Sequence, residues 1–232
     1  MREKVQILRN ILKYQKYRDA SFESVDSLVR HHFSIWSNPT HQNAENLRIA
    51  LNLLGGGPAI IVETGTSAYG TDSSRLFDSY VKNYGGKFYS IDIRKQAKSN
   101  LICQHTRQSK FIVGDSVEML NDLSENNQFS HVDFVYLDSW DVDWFQPELS
   151  AEHGLREFLA IERKLKPGSV LVVDDTPKSP SWIPFEAHSI SNAFKETHGV
   201  FPGKGALIIK LLRTRKNCQI VAHDYNVVFQ FT

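Results

Sequence analysis

The stretch AIIVETGTSAYG, residues 59–70, places an apolar run directly before an acidic residue and a glycine-containing turn. The apolar run at residues 59–62 is typical of a strand that is buried on both faces of a parallel sheet. Glu63 closes this predicted strand, and Gly65 and Gly70 lie in the turn that follows. Because ligands bind outside the carboxyl ends of the strands in open α/β sheets, this turn is the first candidate ligand site.

Short apolar runs and helical stretches alternate from residue 59 onward. Further strands are predicted at residues 87–91, 110–113, 132–137 and 169–173, and helices at residues 73–84 and 148–165. Two more β-rich runs, at residues 206–212 and 219–231, are predicted to pair antiparallel at the edge of the sheet. This alternation indicates an α/β fold in which helices cover both faces of a mainly parallel sheet.

The N-terminal part of the chain is predicted to be helical. Its first helix carries Val5, Leu8 and Leu12 on an apolar side and a basic polar face opposite. The basic face could bind anions or a membrane surface. Alternatively, it is the ordinary solvent-exposed face of a helix that packs on the rest of the protein.

Two further helices complete this part of the chain. The second is predicted at residues 21–33, and the third runs from Pro39 to the Gly-Gly-Gly-Pro stop at residues 55–58. We therefore predict a helical cap or oligomerisation segment at residues 1–54, through which homo-oligomers could form, and a ligand-binding domain at residues 55–232.

The composition argues against several classes of protein. Lys plus Arg number 27 and Asp plus Glu 26, so the net charge of +1 argues against binding to nucleic acid or stable association with anionic membranes. Cys103 and Cys218 form no CxxC motif, so neither a disulfide framework nor a cysteine zinc site is indicated. The apolar runs are too short to span a bilayer, and the N-terminus does not resemble a secretory signal. We expect a soluble cytoplasmic protein.

Every predicted parallel strand ends in a carboxylate. These residues are Glu63, Asp92, Asp115, Asp138 and the pair Asp174 and Asp175. The carboxyl ends of parallel strands share one edge of a sheet, so the acidic residues are expected to gather there. Their mutual repulsion must be offset, which indicates a ligand site.

The first turn departs from both common nucleotide-binding motifs. A phosphate-binding loop needs a lysine after Gly70, where Thr71 stands, and a dinucleotide fingerprint needs a glycine in place of Ser67. What remains is a carboxylate at each of the first two strand ends, Glu63 and Asp92, 29 residues apart. The second carboxylate suits two ribose hydroxyls, and the first suits an ammonium group. A nucleoside joined to an amino acid, S-adenosylmethionine, satisfies both demands.

Five short motifs, in order, resemble those of class I S-adenosylmethionine-dependent methyltransferases. They are VETGT at residues 62–66, YSID at 89–92, VGDS at 113–116, VDFVYLD at 132–138 and LKPGSVLVVD at 165–174. The resemblance covers roughly residues 40–212. It implies a Rossmann-like, seven-stranded methyltransferase sheet with a reversed last strand.

The same resemblance implies cofactor contacts at the strand ends. Glu63 would lie near the methionine part of the cofactor, Gly65 would allow its close approach, and Asp92 would bind the ribose. The other predicted contacts are Thr66, Ser67 and Gly70 in the first turn, Asp115 and Ser116 at the adenine, and Asp138.

A narrower resemblance concerns a metal. LDSW at residues 137–140 and the Asp174–Asp175 pair are similar to segments of metal-dependent O-methyltransferases, the catechol O-methyltransferase-like and the macrocin O-methyltransferase and cephalosporin-hydroxylase-like groups. The resemblance implies that Asp138, Asp174 and Asp175 hold Mg²⁺ or a similar divalent cation, which would orient a substrate hydroxyl and lower its pKa. The alternative is that the aspartate pair caps the turn after its strand.

The sequence leaves the identity of the general base open. The catechol enzyme has a lysine three residues after its aspartate, whereas this chain has Asp141 there. Asp138, Asp141 and His153 are the candidate catalytic residues, although His153 also fits an ordinary polar residue on a helix surface. We predict metal-assisted O-methylation of a small-molecule hydroxyl. The alternatives are a metal-independent small-molecule methyltransferase and a non-catalytic S-adenosylmethionine-binding protein.

Two other features lie near the predicted site. Trp140, Trp144, Phe145 and Trp182 occur in the loops after the fourth and fifth strands, where they fit either an acceptor-binding wall or ordinary loop anchors. The Gly-Lys-Gly sequence at residues 203–205 is a glycine turn that could bind a phosphate, although the predicted function does not need one.

Overall fold

One mixed sheet forms the centre of the protein. The computed structural model describes residues 20–35, 38–66, 71–95, 106–125 and 129–232. Its strands are β1 (Ala59–Thr64), β2 (Gly86–Asp92), β3 (Ser109–Val113), β4 (Phe134–Leu137), β5 (Val170–Val173), β6 (Cys218–His223) and β7 (Val227–Phe231). They lie in the order β3–β2–β1–β4–β5–β7–β6, and β7 runs antiparallel to both of its neighbours. The predicted seven-stranded α/β fold with a reversed last strand is confirmed.

Helices connect the strands. They are α1 (Val25–Ile35), α2 (Ala44–Asn52), α3 (Ser73–Tyr84), α4 (Ser116–Glu125), α5 (Pro147–Ile161), α6 (His188–His198) and α7 (Ala206–Leu212). Short 3₁₀ turns occur at Glu162–Lys164, Pro180–Trp182 and Phe185–Ala187.

Successive residues of the central strands face opposite layers of helices. In β4, Val135 and Leu137 pack into a core that includes side chains of α4, α5, α6 and α7. Phe134 and Tyr136 pack into a second core with α1, α2 and α3. All four side chains are fully buried, as expected for a strand whose two faces are both covered.

The N-terminal helices α1 and α2 are part of this second core. Leu28 of α1 and Leu47 of α2 are fully buried in it. The predicted first helix, with Val5, Leu8 and Leu12, lies outside the described residues. The division at residue 54 and homo-oligomer formation remain predictions. No helix in the described part of the chain is long and apolar enough to cross a membrane.

One predicted strand is a helix. The run ALIIKLL at residues 206–212, expected to be a strand of the edge pair, forms α7. Because nearly every position is apolar, the sequence has neither the period of a strand nor that of a helix. The antiparallel edge pair is instead formed entirely within the last segment of the chain, by the hairpin of β6 and β7.

Candidate active site

Backbone pairing brings the acidic strand ends together. The N–H of Asp138 donates to the carbonyl oxygen of Thr64, and the N–H of Asp174 donates to that of Leu137, each at 3.1 Å. These bonds continue the parallel ladders of β1, β4 and β5 beyond the last strand residues. Asp138 and Asp174 therefore leave neighbouring strands at the same edge of the sheet.

The first turn touches the end of β4. Gly65 has a φ of +82°, and an ideal β-carbon there would stand less than 3.0 Å from the carbonyl oxygen of Asp138. Both the backbone conformation and the close approach therefore require glycine. The N–H of Thr66 donates to Asp92 Oδ2 at 3.0 Å. Ser67 and Gly70 lie outside the described residues.

Glu63 is fully buried at the end of β1. Its Oε1 accepts a hydrogen bond from Ser73 at 2.5 Å, and its Oε2 accepts bonds from Ser74 at 2.5 Å and Ser90 at 2.6 Å. Burial raises the pKa of Glu63 to about 7, and the three hydroxyl donors oppose this increase. The carboxyl group ties the start of α3 to β1 and β2, and its contact with a cofactor remains a prediction.

A cavity of about 310 Å³ opens at this edge of the sheet. Seven of the residues predicted from the sequence line it: Gly65, Asp92, Asp115, Ser116, Asp138, Asp141 and His153. The structure therefore brings most of the predicted cofactor and catalytic residues around one space. Its volume lies at the lower end of the range of roughly 300–1,000 Å³ for small-molecule sites.

An arginine that our sequence analysis missed binds Asp92. The guanidinium of Arg94 lies 2.7 Å from Asp92 Oδ2 and 3.0 Å from Oδ1. The N–H of Arg94 also donates to Oδ1, at 2.7 Å. The arginine side chain is 59% exposed, whereas that of Asp92 is only 7% exposed. The predicted ribose-binding carboxylate is thus already paired with a largely exposed cation.

Asp115 and Ser116, at the start of α4, have different hydrogen-bond partners. Asp115 Oδ1 accepts hydrogen bonds from the N–H groups of Val117 and Glu118, at 3.0 and 3.1 Å. Asp115 therefore caps α4 in addition to lining the cavity. Ser116 is buried, and its hydroxyl lies 3.1 Å from His153 Nε2.

His153 is a buried residue of the cavity wall and does not lie on the helix surface. Its Nε2 is also 3.0 Å from the hydroxyl of Ser139, which donates to the buried carboxylate of Glu157 at 2.7 Å. The ring of Trp140 covers His153 at a centroid distance of 4.9 Å. His153 thus lies beside the predicted adenine contact Ser116, while Asp141 is exposed at the rim of the cavity.

The buried lysine of the Gly-Lys-Gly turn lies between two of the acidic strand ends, and its partners are carboxylates. Nζ of Lys204 is 2.5 Å from Asp138 Oδ1 and 2.8 Å from Asp175 Oδ2, and the lysine side chain is only 4% exposed. The other oxygen of Asp175 accepts a hydrogen bond from the Tyr225 hydroxyl. The available signal in the sequence was a lysine between two glycines at residues 203–205.

Lys204 and the neighbouring carboxylates change one another's pKa values. Burial disfavours the ammonium, but the charges of Asp138, Asp175 and Asp174 outweigh it and raise the pKa of Lys204 above its ordinary value. Burial also raises the pKa of Asp138, against the opposing charge of Lys204. The site therefore retains a buried positive charge among its carboxylates.

Asp174 has other partners. Its Oδ2 accepts hydrogen bonds from the Tyr136 hydroxyl at 2.6 Å and from the side-chain amide of Asn43 at 2.9 Å. Its Oδ1 accepts a bond from the N–H of Asp175 at 2.9 Å. Burial and the neighbouring charge of Asp175 raise the pKa of Asp174.

These contacts do not fit the predicted magnesium site. Magnesium needs several oxygen ligands in near-octahedral order at about 2.0–2.1 Å. Lys204 instead binds Asp138 and Asp175, while Asp174 is held by neutral donors. Within the described ranges, no group of three or more His, Cys, Asp or Glu side chains is placed to hold a metal ion.

A second cavity, of about 610 Å³, is lined by residues of α1 and α2 together with Trp182 and Asp224. Trp182 Nε1 donates to Asp224 Oδ1 at 3.0 Å. Trp140 lines the first cavity and Trp182 the second, so these two members of the predicted aromatic wall lie at different cavities.

Comparison with known proteins gives structural similarity only. No family model matches the chain, and no curated protein matches it in sequence. The O-methyltransferase TomG from Streptomyces achromogenes, involved in tomaymycin synthesis and solved with S-adenosylmethionine, is 16% identical. The match covers 92% of this chain and 91% of TomG, with a TM-score of 0.55.

Two other O-methyltransferases are similar to the same extent. The enzyme from Bacillus cereus, solved with S-adenosylhomocysteine, is 14% identical over 92% of this chain and 93% of that chain, with a TM-score of 0.53. NovP is 12% identical over 90% of this chain and 98% of that chain, with a TM-score of 0.52. At these identities the comparisons establish that the chain has the fold of these proteins.

Proposed function

We propose that this protein transfers the methyl group of S-adenosylmethionine to a hydroxyl oxygen of a small-molecule acceptor. The observation that carries the proposal is the 310 Å³ cavity, which brings Gly65, Asp92 and Asp138 together at the carboxyl ends of β1, β2 and β4. Solved O-methyltransferases with the same fold support the choice of reaction and of cofactor.

In this proposal, the residues that line the cavity bind different parts of the cofactor. Asp92 binds the ribose hydroxyls after Arg94 moves away, because a ribose and the guanidinium compete for the same two oxygens. Gly65 leaves the backbone accessible to the cofactor. Asp115 and Ser116 line the side assigned to the adenine, and His153, in the same wall, lies within hydrogen-bond distance of the Ser116 hydroxyl.

The chemistry requires an acceptor oxygen in line with the methyl group and a destination for the hydroxyl proton. Bound S-adenosylmethionine supplies an electrophilic methyl group on a sulfonium. Holding the two reactants in line supplies much of the rate enhancement. Asp138 is the proposed proton acceptor because this residue lines the cavity and its carboxyl group is fixed by Lys204. Exposed Asp141 is the alternative acceptor at the rim.

Binding of the cofactor is the first test. We expect S-adenosylmethionine to bind in calorimetry, and Asp92→Asn to weaken binding at least tenfold, because it removes charge-assisted hydrogen bonds. Asp122→Asn, at an exposed position of α4, is the matched control and should bind like the wild type. A wild-type protein that does not bind the cofactor would contradict the proposal.

Turnover is the second test. Transfer of labelled methyl to a panel of phenols and vicinal diols should be detectable, and should fall steeply in Asp138→Asn. Tight cofactor binding without transfer to any member of a broad panel would favour the non-catalytic binding protein over the enzyme.

A further inference from the structure

The acidic edge of the sheet contains a positive charge that belongs to the chain itself. Lys204 Nζ lies 2.5 Å from an oxygen of Asp138 and 2.8 Å from an oxygen of Asp175. These carboxylates leave the ends of the neighbouring strands β4 and β5, and the ammonium bridges them. The distance to Asp175 falls in the range of about 2.7–2.9 Å for an ammonium bound to a carboxylate, and the distance to Asp138 is shorter.

The backbone of the Lys204 loop is fixed against the segment after β5. The N–H of Lys204 donates to the carbonyl oxygen of Asp175 at 3.1 Å. An ideal β-carbon on Gly203 would stand less than 3.0 Å from that same oxygen, and one on Gly205 would be 2.8 Å from Thr176 Oγ1. Both glycines are therefore needed for the loop to approach so closely.

A third glycine fixes the loop from the other side. Gly154 of α5 faces the Lys204 backbone, and an ideal β-carbon there would stand less than 3.0 Å from the Lys204 carbonyl oxygen. Close packing of the backbone around Lys204 therefore fixes the position from which its side chain enters the site. Its side chain is only 4% exposed.

Burial makes the pairing essential. A buried ammonium or carboxylate is strongly unfavourable unless it is paired and hydrogen-bonded. Removing the Lys204 charge would leave Asp138 and Asp175 facing each other without a cation. Asp175 is already held in a left-handed conformation, with a φ of +42°, and its second oxygen is bound by Tyr225. The arrangement is built around a cation at this point.

We infer that the ammonium of Lys204 is the resident cation of this site, in the place where the sequence predicted a divalent metal. This deepens the proposed function, since it makes the methyl transfer independent of metal and makes Lys204 the positioning residue for Asp138. The ammonium holds one oxygen of Asp138 and leaves the other for the acceptor hydroxyl.

Metal titration tests the inference without any substrate. Titration of Mn²⁺ into the wild type, followed by electron paramagnetic resonance, should show no binding at this site below about 1 mM. Lys204→Met removes the charge but keeps an apolar side chain of similar length. It should create a site with an affinity at least tenfold higher, and Mn²⁺ should raise the melting temperature of this variant only.

Three further variants make the metal result specific. Lys204→Arg keeps the charge and should bind no Mn²⁺, and Lys204→Met/Asp175→Asn should lose the acquired site. Lys210→Met, at an exposed position of α7, is the matched control and should behave like the wild type. If Lys204→Met does not fold, the wild type and Asp175→Asn decide: stoichiometric wild-type binding at micromolar Mn²⁺ that Asp175→Asn abolishes would overturn the inference.

Activity gives a separate measurement that a purely structural ion pair would not change. Chelators should leave wild-type transfer unchanged, and Mn²⁺ should restore transfer in Lys204→Met without stimulating the wild type. Loss of wild-type activity on chelation, restored by Mg²⁺, would overturn the inference while leaving the proposed methyl transfer intact. Failure of the proposed function would instead appear as absence of cofactor binding.

Discussion

The carbonyl oxygen of Asp138 occupies the space in which a β-carbon of residue 65 would stand. Gly65 directly follows β1, and Asp138 directly follows β4. Their close approach therefore packs together the carboxyl ends of two neighbouring central strands. The same two residues line the candidate cofactor cavity. A change in size at position 65 must therefore act on both stability and ligand binding.

Gly65→Ala should destabilise the protein by about 2–4 kcal/mol and abolish cofactor binding, because it adds a backbone clash to an unfavourable positive φ. Gly168→Ala is the matched control, since Gly168 has a φ of +92° but no atom within 4 Å of an added β-carbon. It should cost about 1–2 kcal/mol and leave binding intact. Chemical denaturation and calorimetry measure both quantities; equal losses in the two variants would contradict the role of the close approach.

The buried carboxyl group of Glu63 should give the protein a measurable pH dependence. Its pKa is about 7 in the folded protein and has an ordinary value of 4.5, so the folded state binds more protons between these two values. The unfolding free energy should therefore fall as pH rises from 4.5 to 7, by up to about 3 kcal/mol. Glu63→Gln should remove this contribution, so the stability difference between the two proteins should change across that window. A constant difference from pH 4 to pH 8 would show that Glu63 titrates normally.

Arg94 should compete with the cofactor. Its side chain is 59% exposed, so its ion pair with Asp92 is worth at most about 1 kcal/mol. Arg94→Gln should therefore tighten S-adenosylmethionine binding by up to about fivefold. Arg156→Gln, at an exposed position of α5, serves as the control. Weaker binding in Arg94→Gln would mean that the guanidinium itself contacts the ligand.

Gly154→Ala should destabilise the protein even though alanine favours helices by about 1 kcal/mol over glycine. The added β-carbon would meet the Lys204 carbonyl oxygen, so we expect a net loss of about 1–3 kcal/mol. Glu152→Ala, exposed on the same helix, should change the unfolding free energy by less than about 0.5 kcal/mol. An increase in stability of Gly154→Ala in denaturant titrations would show that the loop can move away freely.

Local sequence patterns were sufficient for the parallel core and the acidic strand ends. Asp92, Asp138 and Asp174 each follow an apolar run directly, and the topology of the fold then brings them to one edge. The pairing of Lys204 with Asp138 spans 66 positions of sequence, and no local pattern encodes it. The prediction that the aspartates are free to bind a metal ion did not include Lys204 as their partner.

Two other differences have equally physical causes. The run that forms α7 is apolar at almost every position, so its period carries no information, and burial from several sides decides its structure. His153 fitted an ordinary helix-surface residue better than a catalytic one, because one polar residue does not define a helix face. In the structure His153 is buried in the cavity wall, with the ring of Trp140 packed against it.

The amide of Asn43, just before α2, joins the N-terminal part of the chain to Asp174, one of the carboxylates of the site. It donates to Asp174 Oδ2 at 2.9 Å and to the Thr71 hydroxyl at 3.1 Å. A chain shortened to begin at Gly55 would lose this donor along with the helices that cover Phe134 and Tyr136. The described helices α1 and α2 and the residue before α2 therefore contribute both to the core and to the hydrogen bonding of the acidic edge, so removing them would change the site as well as the stability.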